Sequence, residues 1–276
     1  MKTVMFPTGE TVPALGQGTW MMGEQPDRRD AEIAALRTGV DRGMTLIDTA
    51  EMYGDGASER LVAEVLRDVR DQVFLVSKAY PHNASRKRLA AACEASLERL
   101  RTDRLDLYLL HWRGSVPLAE TIEAMERLKT AGKIRHWGVS NLDLQDMEEL
   151  VAAGGQACAT DQILYNLSRR GPEYDLLPWL SDRRIPVMAY SPVEQGRLLT
   201  DAALVRIAQQ SGATPAQVAL AWVMRRADMI AIPKAGTVAH VLDNFAAADL
   251  VLAQDDLAAL DAAFPPPQSA RPLEML

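Results

Sequence analysis

Cysteine is nearly absent from this chain. Two occur in 276 residues, Cys93 and Cys158, without CxxC spacing, so neither a disulfide framework nor a thiol redox motif is available. Histidine is almost as scarce. Of the four, His82 and His136 show no ligand spacing, and none lies on the first barrel-like strand. That argues against a metal-assisted hydrolase, which gathers histidines at strand ends, so no metal is expected. Basic charge is in deficit, 30 Lys and Arg against 37 Asp and Glu, whereas a nucleic-acid surface needs the opposite balance. No apolar run approaches membrane-spanning length, and residues 1–7 lack the apolar core of a signal peptide. These absences imply a soluble protein of the cytoplasm with neither nucleic-acid nor membrane partners. A monomer is expected.

What is present is ample apolar material, 48% of the chain, arranged as a strand-then-helix alternation repeated eight times. Val4–Phe6 and Val12–Leu15 flank Thr8-Gly9-Glu10 and read as a β-hairpin ahead of the main fold. Strands are then expected at Gly16–Trp20, Met44–Ile47, Val73–Ser77, Leu105–Leu110, Ile134–Val139, Ala157–Gln162, Pro186–Tyr190 and Met229–Ile232. Helical stripes separate them, with Ser85 and Thr214 as N-caps and Pro117 in a first turn. An extra helix over Asp255–Ala263 precedes Pro265-Pro266-Pro267. The pattern predicts a (β/α)8 TIM barrel with an N-terminal hairpin and an extra C-terminal helix. It forms a single domain over residues 1–276, with 264–276 a tail on the surface or across a pocket. An open doubly wound sheet would want G-x-G-x-x-G after the first strand; Gly16-Gln17-Gly18-Thr19-Trp20-Met21 lacks the third glycine.

Polar residues collect where these strands end. Leu46-Ile47 runs into Asp48, with Tyr53 in the following loop; Val73–Val76 runs into Ser77-Lys78; Leu107–Leu110 runs into His111. Singly, each has an ordinary explanation as an ion pair, a packed ring or a hydrogen-bonded imidazole. At consecutive strand ends they converge on the barrel face that carries chemistry. A lysine beside a phenol favours the phenolate, and an aspartate keeps that lysine charged, so Asp48–Lys78–Tyr53 reads as a device that lowers the phenol into a usable acid range. His111 adds a donor for a carbonyl oxygen.

Asp48-Thr49-Ala50 with Tyr53-Gly54, Ser77-Lys78, Leu110-His111-Trp112, Gly138-Val139-Ser140-Asn141 and Ile232-Pro233-Lys234 occur in the order of the aldo-keto reductase motifs. The chain resembles that superfamily from the hairpin through Ala248. The resemblance implies an NADPH-dependent carbonyl reductase with Tyr53 as general acid, Lys78 and Asp48 tuning it, and His111 orienting the carbonyl. It implies that Ser140, Asn141 and Gln162 hold the nicotinamide amide and that Tyr190 stacks on the ring. Ser191, Gly196 and Leu198 would run along the pyrophosphate. Glu194, where relatives commonly carry a glycine, must then point away. Lys234, Ala235, Gly236 and Thr237 lead into a helix N-terminus, a ready phosphate site that favours NADPH over NADH. NADH stays as the second choice because His240 stands where many relatives have an arginine. Asp243 and Asn244 match the adenine-contacting pair. Trp20, Tyr80 and Trp112 would line an open mouth suited to small carbonyl substrates and, by analogy with bacterial relatives, to 2-oxoaldehydes such as methylglyoxal. The competing reading on the same fold is a redox-sensing regulatory module that binds NADPH and turns it over weakly.

Overall fold

The protein, described over residues 1–276 by a computed structural model, is a ring of eight parallel strands whose last and first members meet at Gly16 and Gly18. The first barrel strand, β3 (Gln17–Gly18), pairs in parallel with β4 (Leu46–Asp48), and the ladder continues through β5 (Phe74–Ala79), β6 (Leu105–Leu110), β7 (Ile134–Ser140), β8 (Asp161–Leu164), β9 (Val187–Tyr190) and β10 (Met229–Ala231). Parallel bridges Leu15–Ala231 and Gly18–Lys234 then join the last strand to the first. Gly16 N–H donates to Ala231 O at 2.8 Å and Gly18 N–H to Pro233 O at 3.0 Å. A Cβ on Gly18 would stand 2.7 Å from the Ile232 carbonyl oxygen, so a larger residue would push the closing strands apart.

The hairpin, β1 (Thr3–Met5) against β2 (Thr11–Pro13), covers the N-terminal end of the barrel. Phe6 stacks on Phe74 at 5.4 Å, His136 stacks on both rings, and Glu10 binds His136 Nε2 at 2.6 Å and Arg135 at 2.9 Å. That end is filled by packing, which leaves the opposite face for chemistry. Outside the ring run α1 (Arg29–Asp41), α2 (Ala57–Leu66), α3 (Arg86–Leu100), α4 (Leu118–Thr130), α5 (Leu144–Ala152), α6 (Leu176–Asp182), the pair α7 (Ala202–Gln210) and α8 (Pro215–Val223), α9 (Val238–Ala246) and α10 (Gln254–Ala263). None is long and apolar enough to cross a membrane.

Most expected bounds hold within a few residues, and the departures have local causes. The sixth strand begins at Asp161 rather than Ala157, because Cys158 N–H closes a turn onto Gly155 O at 3.1 Å. Pro117 caps α4 from outside instead of sitting in its first turn. Ser85 caps α3 through Arg88 N–H, and Thr214 with Gln217 forms a reciprocal capping box on α8.

Asp161 is fully buried and no side chain donates to its carboxylate; only the Leu142 backbone partly offsets the burial. Burial raises its carboxyl well above the ordinary value, so the folded state holds a proton that the unfolded chain releases. The sign follows from that difference: stability falls as pH rises above about 4, until the folded carboxyl itself ionises. Asp161→Asn removes the dependence. In urea melts the variant is expected to gain roughly 1–3 kcal/mol over wild type at pH ~8 and almost nothing near pH 4. Equal melts at both pH values would show that the folded carboxyl ionises as readily as the unfolded one.

Candidate active site

The C-terminal strand ends bring together the residues that the sequence scatters. Lys78, fully buried on β5, uses all three ammonium protons: to Asp48 Oδ2 at 2.7 Å, to the Thr49 carbonyl at 2.9 Å and to the Tyr53 hydroxyl at 3.1 Å. Tyr53 is reached by a turn in which its N–H bonds Ala50 O, and Gly54 and Gly56 take the left-handed conformations that lead into α2. His111 follows β6, with its ring edge-on to Tyr53 at 5.9 Å and tilted against Trp112 at 4.8 Å.

The electrostatics differ from the sequence expectation in one respect. Burial raises the Tyr53 phenol above its ordinary value, and Lys78 offsets that only in part while Asp48 adds to it. The lysine therefore limits the rise instead of producing a low value. Burial alone would pull the Lys78 ammonium down, but Asp48 and Tyr53 outweigh it and hold the amine charged. Burial, then Lys78, drives His111 down to about 2, so its imidazole is neutral throughout the physiological range, and its Nδ1 has no partner.

Asp48 is braced from sides that the sequence does not advertise. Gln162 donates its amide to Asp48 Oδ1 at 2.8 Å. Of the Gln162 side chain, expected to help hold a nicotinamide amide, the carbonyl oxygen remains free of protein donors. Beneath Asp48, Thr19 Oγ1 donates to the Asp48 carbonyl at 2.9 Å, and Ser58 Oγ donates to Thr19 Oγ1 at 2.7 Å. Thr19 and Ser58 were not anticipated; buried hydroxyls beside a strand end were the available signal.

Asn141, left-handed at φ 58°, donates to the His111 carbonyl and to Ser140 Oγ, each at 3.1 Å, and accepts from the Tyr190 hydroxyl at 2.9 Å. Ser140, Asn141 and Tyr190 thus form one platform beside the acid–base group. Ser191 is also left-handed at φ 47°, Gly196 at 88°, and Leu198 is buried beneath that loop. Lys234 is exposed with no ion-pair partner; Ala235 is buried, Gly236 half-buried and Thr237 exposed, and Thr237 caps α9 by accepting from His240 N–H at 3.3 Å. His240 itself is exposed and Asn244 buried. The Asp243 carboxylate also accepts from Gln217 at 2.7 Å and from Thr214, tying α9 to the capping box of α8.

At the mouth, Tyr80 meets Trp112 edge-on at 5.8 Å, while Trp20 stands exposed without a ring partner. Glu51 sets the position of Tyr80 by accepting its backbone N–H at 2.6 Å and the Asn83 amide at 3.0 Å. No group of three His, Cys, Asp or Glu side chains is placed to hold a metal ion.

This geometry has known counterparts. Residues 14–264 match the model of the aldo/keto reductase family. The chain belongs to that family. This reductase is 53% identical to the methylglyoxal reductase YeaE of Escherichia coli, over all of this chain and 99% of that one. It is 32% identical to the glyoxal reductase of Bacillus subtilis, over 94% of this chain and 92% of that one. A crystal structure of an aldo/keto reductase from Klebsiella pneumoniae in complex with NADP and acetate superposes at a TM-score of 0.98, with 53% identity and coverage of 100% and 99%. The reductase is thus an oxidoreductase on the (β/α)8 fold that its sequence pattern implied.

Proposed function

We propose that this reductase converts small aldehydes and ketones, 2-oxoaldehydes such as methylglyoxal among them, to alcohols with NADPH. The observation that carries the reading is the Lys78 ammonium, buried and bonded at once to Asp48 and to the Tyr53 hydroxyl. The names of the relatives support the substrate class, and the NADP complex supports the cofactor.

The residues fit a nicotinamide dinucleotide. The Gln162 carbonyl lacks a protein donor, the Ser140–Asn141–Tyr190 platform adjoins the phenol, and Lys234 is an uncompensated charge at a capped helix N-terminus. The nicotinamide, when bound, supplies the hydride that adds to the carbonyl carbon. Tyr53 gives its proton to the carbonyl oxygen as negative charge develops there. Lys78 stabilises the phenolate left behind, and Asp48 keeps Lys78 protonated throughout. His111, neutral across the physiological range, serves as a hydrogen-bonding and packing group that orients the carbonyl. Tyr80 and Trp112 form an apolar wall beside it.

In our reading the reductase acts as a monomeric single domain of the cytoplasm. Cys93 and Cys158 are buried free thiols pushed up to about 12 by burial, which suits them to packing and makes them inert as redox switches.

A panel of small aldehydes, assayed with NADPH and NADH in parallel, tests the function. Turnover is expected with NADPH and 2-oxoaldehydes. Lys234→Ala is expected to weaken NADPH by about tenfold or more, the usual scale of one charge-assisted contact, and to leave NADH within about twofold. Equal losses for both cofactors would refute a 2′-phosphate contact.

A further inference from the structure

Glu194 is the residue that least suits a loop along a diphosphate, and the structure turns it inward. Its carboxylate is 5% exposed and accepts from Asn166 Nδ2 at 2.8 Å, Arg169 Nη2 at 2.9 Å and Arg197 Nη2 at 2.8 Å. Burial alone would raise this carboxyl; the two guanidiniums and the amide outweigh it and pull it down to about 2. The backbone around it needs such a hold. Ser191, Glu194 and Gln195 are all left-handed, at φ 47°, 50° and 55°, a conformation that disfavours every residue with a Cβ.

Asn166, fully buried in the loop after β8, binds this segment twice, donating to the Ser191 carbonyl at 2.9 Å and to Glu194. Its Oδ1 accepts from Ser168 N–H and Arg169 N–H, which fixes the base of Arg169. Arg169 then reaches in two directions. Nε and Nη2 serve Glu194, and Nη1 serves Glu274 of the tail at 2.5 Å. Beside that contact Leu273 packs on the core, which holds the tail against the barrel.

We propose that Glu194, Arg169 and Glu274 form a tether that joins the loop after β9 to the C-terminal tail, so that cofactor release and opening of the tail are one event. Arg169 and Glu194 are positioning residues in this scheme. The tether rests on the reading above, in which residues 191–198 hold the diphosphate. It explains why an acid is tolerated there: the carboxylate faces its own arginines and stiffens the loop from behind. Of the two links, the buried one at Glu194 sets the strength, since the Arg169–Glu274 pair is part-exposed and screened.

Two readouts test it: the dissociation rate of NADPH by stopped-flow fluorescence, and hydrogen exchange over residues 268–276 with and without NADPH. Glu194→Gln and Arg169→Ala are each expected to speed release by about tenfold or more, the double variant no more than the faster single, because they break one link. Arg169→Lys recovers part of the loss. NADPH is expected to slow exchange in the tail of the wild type and to lose that effect in Arg169→Ala and Glu274→Gln. Glu274→Gln alters a half-exposed side chain and keeps the test decisive if Arg169→Ala is unstable. Release rates within about twofold of wild type, effects that add, or a tail that exchanges equally fast with and without NADPH would each overturn the tether. Wild type that fails to bind NADPH would instead overturn the functional reading beneath it.

Discussion

Tyr53→Phe is expected to lower kcat for small aldehydes by at least about a hundredfold, the usual scale for a general acid, and to leave NADPH affinity close to wild type. The substitution removes one oxygen. That oxygen makes a single bond within the protein, to Lys78 at 3.1 Å, so the ring keeps its seat and the loss is chemical. The pH profile carries the sign. A phenol raised above its ordinary value stays protonated across the neutral range, so reduction should hold level there and fall only when alkaline pH removes the proton. No inflection is expected near pH 6.5, because His111 is neutral well below that. Steady-state rates should therefore stay level between pH ~6 and ~10, the alkaline fall lying above that window, and an acidic limb near 6.5 would mean that an imidazole titrates in the reaction.

The second large effect is at Lys78. Lys78→Met should reduce kcat by about a hundredfold to a thousandfold, because the phenolate left after proton transfer loses its counter-charge in a water-poor site. Stability falls as well. Asp48 is almost wholly buried, and without Lys78 only the Gln162 amide still bonds its carboxylate, which by analogy with broken buried pairs costs roughly 3–5 kcal/mol. Lys78 is held above the ordinary ammonium value, so its contribution is fully present below about pH 10 and is lost only as pH rises past the folded value. The wild type's lysine contribution should therefore be constant across the neutral range, while the unpaired Asp48 of the variant makes the difference shrink toward acid pH. The double variant Lys78→Met, Asp48→Asn is expected to recover much of the stability and none of the activity, which separates the buried-charge penalty from the chemistry. Recovery of turnover in the double variant would assign catalysis elsewhere.

The parts of the site legible in the sequence were those carried by local pattern. Leu105–Leu110 was bounded correctly because a short apolar run stops at Thr102-Asp103-Arg104 on one side and His111 on the other. The Thr214 cap was visible because proline follows it immediately. Asp48, Tyr53 and Lys78 could be grouped because strand ends in a barrel share one face. What stayed hidden depends on contacts that no local window contains. Gln162 meets Asp48 across 114 positions of chain, so its amide could not be seen to be spent. The bonds from Gln217 and Thr214 to Asp243 likewise join segments 26 and 29 positions apart. Glu194 reads as misplaced because two of the three residues that hold it, Asn166 and Arg169, lie in the preceding β–α loop. The Tyr53 shift runs opposite to the motif-based expectation for a related reason: proximity of a lysine is readable from motif order, whereas the depth of burial that opposes it is a property of the folded chain.

The most direct test follows a single atom. NADPH carrying deuterium at its transferable position is incubated with the reductase and methylglyoxal, and the product is read by mass and proton spectra. Deuterium bound to the former carbonyl carbon, at a rate that collapses in Tyr53→Phe, is the predicted result. NADPH that binds while no aldehyde acquires the label would contradict the account and leave a binding module in its place.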